Sequence, residues 1–455
     1  MNERIRMMSE DKIESVLLKL GIPAIIGMLI DAIYNFVDAI YVGGLGTSAM
    51  GAAAISFPIL MIIVGLGLMM GSGAGSYISR LLGKGEYEQA NKTASVAIAG
   101  SVVLWVLAVI PAIGFLEPLL KFFGATETIL PFAKDYGYIF IGGSIFSVMN
   151  ITMINIARAE GAAKMGMKAL MLGAVLNIIL DPIFIYTFAL GIRGAAIATV
   201  ISQLTTSIIL YRFFLKGKST IKLSLAHGLF NKDILLEIFK TGTPNLIFQL
   251  LTSAAIGLIN SSAVMYGDAA VAAMGIVNRI FALGSYVVFG YSKGFQTIAG
   301  YSFGARRYKR LKEAIRISIK WATGFCLIVA MTQILFAPYI VSIFSSDQEV
   351  LAIASKGLRA YSLIFPFFGL QIIYMTLFLA LGKGKEGLIL SISRQGIFLI
   401  PTILILPKLI GLNGVLYAQS IADFLTTILT LVMGIGLNKF LNRQISEHEA
   451  EIDIA

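Results

Sequence analysis

Moved along itself by 221 positions, this chain of 455 residues meets its own pattern. Gly21 falls on Gly242, Pro23 on Pro244, Gly46 on Gly267, Gly73 on Gly294, Gly83 on Gly304 and Tyr87 on Tyr308. The register persists to the far end of each half, where Gly161, Lys164 and Gly166 fall on Gly382, Lys385 and Gly387. A duplication of this length obliges both halves to adopt one fold and limits the molecule to two copies of a single unit.

That unit belongs in a bilayer. Apolar segments able to cross roughly 30 Å of hydrocarbon recur about twelve times, near 14–42, 52–80, 92–116, 130–157, 164–187, 191–214, 235–262, 269–298, 314–340, 351–381, 386–408 and 412–437. Hydrophobic residues make up 57% of the chain and charged ones 13%, a balance that a water-soluble protein does not carry without aggregating. The fold class is therefore all-α integral membrane. Six spans per repeat is an even number, so the second repeat enters the membrane in the same sense as the first and the repeats are parallel. Residues 1–214 read as an N-terminal lobe, 215–234 as a polar linker, 235–440 as a C-terminal lobe and 441–455 as a polar tail that frays. The first apolar segment is too long for a signal peptide and is read as a retained helix.

The formal charge of +11 raises the question of a nucleic-acid partner, but its distribution answers it. Basic residues crowd alternate loops, at Arg80, Lys84 and Lys92, at Arg158, Lys164 and Lys168, at Arg212, Lys216 and Lys218, and at Arg306, Arg307, Lys309 and Arg310. The positive-inside rule turns this into topology, a multi-pass protein of the cell membrane with both termini cytoplasmic and no nucleic-acid partner. Cys326, the only cysteine, lies inside an apolar span, which excludes a disulfide framework and a thiolate metal site. The two histidines, His227 and His448, fall in the linker and the tail, so catalysis or zinc binding through histidine is not expected.

An ionised carboxylate at mid-helix costs on the order of 2.5–3.5 kcal/mol, so acids within spans are functional candidates. Asp31, Asp38, Asp181 and Asp423 are these acids. Asp31 and Asp38 are seven residues apart in IGMLIDAIYNFVDAIY, about two helical turns, and share a face with Tyr34 and Asn35 close by. In LNIILDPIF, Asn177 and Asp181 stand at i and i+4, and Pro182 cannot donate to the carbonyl of Ile178. Ala195 and Thr199 repeat the spacing in the sixth span. Helix direction puts Asp38, Asn177, Asp181, Ala195 and Thr199 at one depth, in the outer half of the membrane. Carboxylate, amide, hydroxyl and carbonyl oxygens make a site for Na⁺ or a proton rather than for a transition metal. The competing reading makes Asn177 and Thr199 interhelical glue and pairs the aspartates with buried Arg or Lys.

Weaker signals accompany this cluster. Gly71, Gly73, Gly75, Gly83, Lys84 and Gly85 miss the phosphate-loop spacing and read as close helix packing. Met28, Met61 and Met153 are either ordinary packing or an adaptable apolar wall for varied ligands. Asn278, Arg279, Lys293, Gln296, Gln371, Arg394 and Gln395 put polar groups into second-half spans, as helix glue or as cavity lining.

Taken together, PAIIGMLIDAIYNFVDAIYVGGLG, GSGAGSYISRLLGKGE, LNIILDPIFI and GFQTIAGYSFGA resemble the multidrug and toxic compound extrusion family, within it the bacterial MepA-like branch. The resemblance covers essentially the whole chain. It implies a V-shaped transporter of two six-helix lobes around a central cavity, a monomer that exports cationic amphipathic organic compounds in exchange for inward Na⁺ or H⁺. It implies no cofactor beyond that coupling ion, which is expected at Asp38, Asn177, Asp181, Thr199 and the Ala195 carbonyl. Asp31, Tyr34, Asn35, Met28, Met61 and Met153 become candidates for the substrate cavity and Pro23 for a hinge. A lipid or lipid-linked sugar flippase of related architecture and a non-transporting membrane scaffold or receptor are the competing readings.

Overall fold

The computed structural model describes residues 3–224 and 231–454, and His227 lies outside them. The first repeat comprises α1 (Glu3–Glu10), α2 (Ile13–Gly43), α3 (Thr47–Lys84), α4 (Tyr87–Gly114), α5 (Leu116–Phe122), α6 (Leu130–Gly143), α7 (Ile145–Ala159), α8 (Ala163–Pro182) and α9 (Ile192–Leu215). The second comprises α10 (Lys232–Val264), α11 (Asp268–Gly304), α12 (Tyr308–Ser342), α13 (Gln348–Ala380), α14 (Gly384–Ile392), α15 (Ile400–Ile410) and α16 (Leu412–Ile454). Eleven helices of the described chain are long and apolar enough to span a membrane by themselves. The bent pair α6 and α7 supplies the twelfth, with a turn of 42° between its parts. The bend has a cause in sequence. Gly143 lets Val200 press against the backbone, and Ser144 accepts the indole N–H of Trp105 at 2.9 Å while donating to the Ile141 carbonyl.

Three apolar cores define the shape. One is shared by both repeats at the end where the basic loops gather, and includes Leu17, Met70 and Ile78 together with Phe295, Ile298 and Phe378. Toward the opposite end this common core gives way to two separate ones, around Ile59, Ile185 and Ile192 in the first repeat and around Ile259, Met274 and Ile403 in the second. A bundle fused at one end and parted at the other is a V. Its cleft opens away from the basic end.

The glycines that superpose in the sequence make the fused end possible. A Cβ on Gly83 would stand 2.1 Å from the Tyr301 carbonyl oxygen, and one on Gly304 would stand 2.0 Å from that of Arg80. Tyr301 is the repeat partner of Arg80, so the two contacts are one contact seen twice across the pseudo-twofold axis. Gly242 against Met69 and Gly294 against Gly21 close the seam in the same way, at 1.9 and 2.6 Å. No side chain fits between backbones this close, and the four helices α2, α3, α10 and α11 meet there.

Two features depart from the sequence reading. The tail does not fray, because α16 continues to Ile454. Lys312 donates to Asn442 at 2.7 Å, Tyr308 to Gln444 at 3.2 Å, and Lys309 pairs with Glu449 at 2.7 Å. At the other terminus, residues 3–10 form a helix that the hydropathy pattern alone does not predict. Its Ile5 and Met8 are buried in the shared core. Arg4 pairs with Glu160 of the first repeat at 3.0 Å, while Arg307 and Arg310 of the second donate to the carbonyls of Ser9, Met8 and Asp11. Helix α1 thus straps the two lobes together across the basic end.

Candidate cation site

Asp38 projects from α2, Asn177 and Asp181 from α8, and Thr199 from α9. The i, i+4 pair in α8 closes on itself, as Asn177 Nδ2 donates to Asp181 Oδ1 at 3.2 Å and to Thr199 Oγ1 at 3.4 Å. Having spent its N–H groups on these neighbours, Asn177 presents its carbonyl oxygen to the interior. That oxygen is buried with no hydrogen-bond partner, and so are Asp181 Oδ2 and Asp38 Oδ1. Asp38 and Asp181 lie within electrostatic reach of one another. Three partnerless acceptors, two of them on carboxylates, are an arrangement that a cation, a proton or ordered water completes.

Local structure fixes these groups. Asp181, Asn177 and Thr199 are buried among the helices of the first repeat, and Asp38 is half-buried on the wall of the cleft. Pro182 offers no N–H to the turn before it, and the chain relaxes after it into a π-helical turn at Ile183–Thr187. Such turns are frequent at functional sites because they rotate the side chains that follow. Here the turn carries Tyr186, whose hydroxyl donates to the Tyr41 carbonyl at 2.8 Å and ties the outer end of α2 to α8. Ala195 is fully buried in the neighbouring core.

The two repeats of this architecture match the MatE family model over residues 23–183 and 244–405. The chain belongs to the MatE family. It is accordingly a multi-pass membrane transporter and not an enzyme. It is 28% identical to the multidrug export protein MepA of Staphylococcus aureus (strain MRSA252) over 435 residues, 95% of this chain and 96% of that one. It is similar to solved crystal structures of a MATE in the bent conformation, with a TM-score of 0.92 and 28% identity, and in the straight conformation, with 0.91 and 29%. Each comparison covers 97% of this chain and 99% of the other.

Other sequence candidates in this MatE protein divide by position. Tyr34 joins the cation cluster, its hydroxyl in contact with Thr199 and near Asp38 and Asp181. Asp31 lies farther down α2, where Arg158 of α7 is its charged neighbour. Asn35 folds back, donating to the Asp31 carbonyl at 2.6 Å. Met61 meets Gln249 of α10 across the cleft, and Met28 is half-buried. Met153 is completely buried in the shared core, away from the cleft, and packs as an ordinary core residue. Pro23 lies inside the uninterrupted helix α2, ten residues past its start at Ile13.

Sequence reasoning missed Tyr136 of α6, which stands near Asp38, Tyr34 and Asp181. A tyrosine in an apolar span carries no signal of its own. The second repeat holds an acid of another kind. Asp423 of α16 is buried and bound by Arg394, with Nε to Oδ1 at 2.7 Å and Nη2 to Oδ2 at 3.1 Å. Gln419 adds a donor at 2.9 Å, and the guanidinium lies 4.8 Å from the Phe368 ring centroid. The charge that the first repeat leaves open is neutralised in the second by a tethered guanidinium.

Proposed function

We propose that the protein is a secondary active multidrug exporter that carries cationic amphipathic organic compounds outward in exchange for inward Na⁺ or H⁺. The observation that carries this reading is the set of three partnerless oxygens on Asp38, Asn177 and Asp181, set beside the likeness to a multidrug export protein. Asp38, Asn177, Asp181 and Thr199, with the Ala195 carbonyl within the same bundle, hold the coupling ion. Asp31, Tyr34, Asn35, Met28 and Met61 line the path of the drug, where thioethers and aromatic rings accommodate varied shapes. The protein works as a monomer in the cell membrane, with the basic end and both termini in the cytoplasm.

Coupling follows from charge. With the ion absent, Asp38 and Asp181 leave negative charge beside the cleft, which favours a cationic drug. Arrival of Na⁺ or a proton lowers that negative charge by one and lets α2 bend about Pro23, so the first-repeat side of the cleft narrows and the drug departs outward. The existence of MATE structures in bent and straight conformations supports a protein with two stable shapes. Ion and drug prefer different shapes, which is all that exchange requires. A tenfold ion gradient supplies about 1.4 kcal/mol, enough for about tenfold accumulation of drug at one-to-one exchange.

The test is efflux of ethidium from proteoliposomes with the membrane potential clamped. An inward Na⁺ gradient at equal pH, or a pH gradient without Na⁺, is expected to drive it. Silence under both gradients rejects the proposal.

A further inference from the structure

We propose that Arg158 and Lys293 form an oxyanion subsite at the base of the cleft, where the carboxylate or phosphate of an amphiphile docks. Arg158 ends α7 of the first repeat and Lys293 sits in α11 of the second. Together with Asn155, Gln296 and Ser72 they line a small cavity on the seam between the lobes. The Arg158 carbonyl accepts from Thr297 at 3.2 Å, which pins the two helices together there. The two cations lie within electrostatic reach of each other, a repulsion that an anion between them would relieve.

The charges around them do not cancel. Arg158 donates to Asn155 Oδ1 at 3.1 Å and has Asp31 as its charged neighbour. Asp31 also lies within electrostatic reach of Tyr286. Lys293 has no ion pair or side-chain hydrogen bond among the described residues, while the amide of Gln296 beside it is anchored by donation to Ser72 at 3.4 Å. One acid against two cations leaves a net positive charge at the apex of a cleft whose upper wall is negative. An amphiphile bearing both signs spans this gradient with its cation toward Asp31 and Asp38 and its oxyanion on Lys293. Only the claim that this ligand is then transported rests on the export reading, and binding is measured without it.

The experiment compares rhodamine 110, which carries a free carboxylate, with its methyl ester rhodamine 123. Binding of each to the purified full chain is followed by fluorescence anisotropy. A charge-assisted hydrogen bond predicts roughly tenfold tighter binding of the acid. Lys293→Met is expected to bring the ratio of the two affinities to about one, and Lys293→Arg to retain it. Equal affinities in the wild type, or a preference that survives Lys293→Met, would overturn the proposal. Competition by short-chain phosphatidylglycerol would identify a lipid headgroup as the oxyanion, competition by inorganic phosphate a free ion, and competition by neither an oxyanion supplied by the transported compound. Failure of ethidium efflux with this ratio intact would reject the export reading and leave the subsite standing.

Discussion

Asn177 decides the chemistry of the cation cluster. Its two donors are directed at Asp181 and Thr199, which forces its oxygen, like those of Asp38 and Asp181, to face inward without a partner. Asn177→Leu removes one ligand oxygen and the donor that orients Asp181, and is expected to weaken coupling-ion affinity by roughly tenfold or more. The check is ion-dependent protection against heat, which the loss should reduce in proportion. Tyr136→Phe is the companion test, since it removes only a hydroxyl near both acids and should change ion affinity less than Asn177→Leu. Asp38, Asn177, Asp181 and Thr199 were legible in the sequence because polar atoms inside apolar helices are costly and their helical spacing fixes a shared face and depth. Tyr136 was not, and neither was the nearness of Arg158 to Asp31. A residue at the end of a span reads equally well as a loop cation, and only the packing of α7 on α3, with α11 touching it, reveals which it is.

Helices add a second layer of control at the basic end and within the second lobe. Helix α1 joins the lobes through Arg4 and Glu160 on one side and Arg307 and Arg310 on the other. Glu160 is itself buried and receives Ser219 and the backbone of Thr220 and Ile221. Glu160→Ala therefore leaves several donors without their acceptor and is expected to destabilise the protein by about 1–3 kcal/mol. Cys326, the only cysteine and fully buried, reports this directly, because a maleimide dye reacts with it only when the fold opens. In the second lobe, Arg394→Leu strands Asp423 and should cost about 3–5 kcal/mol by the same assay. Twelve spans could be read from hydropathy, since each is a long apolar run between basic or glycine-rich turns, whereas the extensions of α11, α12 and α16 beyond their apolar runs at the basic end could not. Helix α1 escaped that reading because eight residues of mixed charge look like a solvated terminus until the core beneath them is known.

At the scale of the whole molecule, the duplication is expressed as a seam of glycines. Sequence superposition picked out Gly21, Gly73, Gly83 and their partners, and these are the positions at which the two lobes touch backbone to backbone. Gly242→Val inserts atoms where a Cβ alone would stand 1.9 Å from a carbonyl oxygen. Overpacking of this kind costs about 1–3 kcal/mol, and here the cost falls on the arrangement fused at the basic end. The variant is expected to favour a state opened at that end, seen as faster thiol labelling of Ser79→Cys in a Cys326→Ser background. Unchanged labelling would show that the seam does not gate access. The V itself could not be derived from periodicity, which says how helices cross a bilayer and nothing about whether two bundles share a core.

The central claim is that the first lobe carries the coupling ion through Asp38. Gradient-driven ethidium efflux in proteoliposomes containing wild type or Asp38→Asn tests it most directly, with equal protein content and an intact fold verified through Cys326. The wild type should follow the imposed Na⁺ or pH gradient, and Asp38→Asn should lose that dependence while still binding ethidium. Full efflux by Asp38→Asn with the wild-type ion dependence would contradict the account.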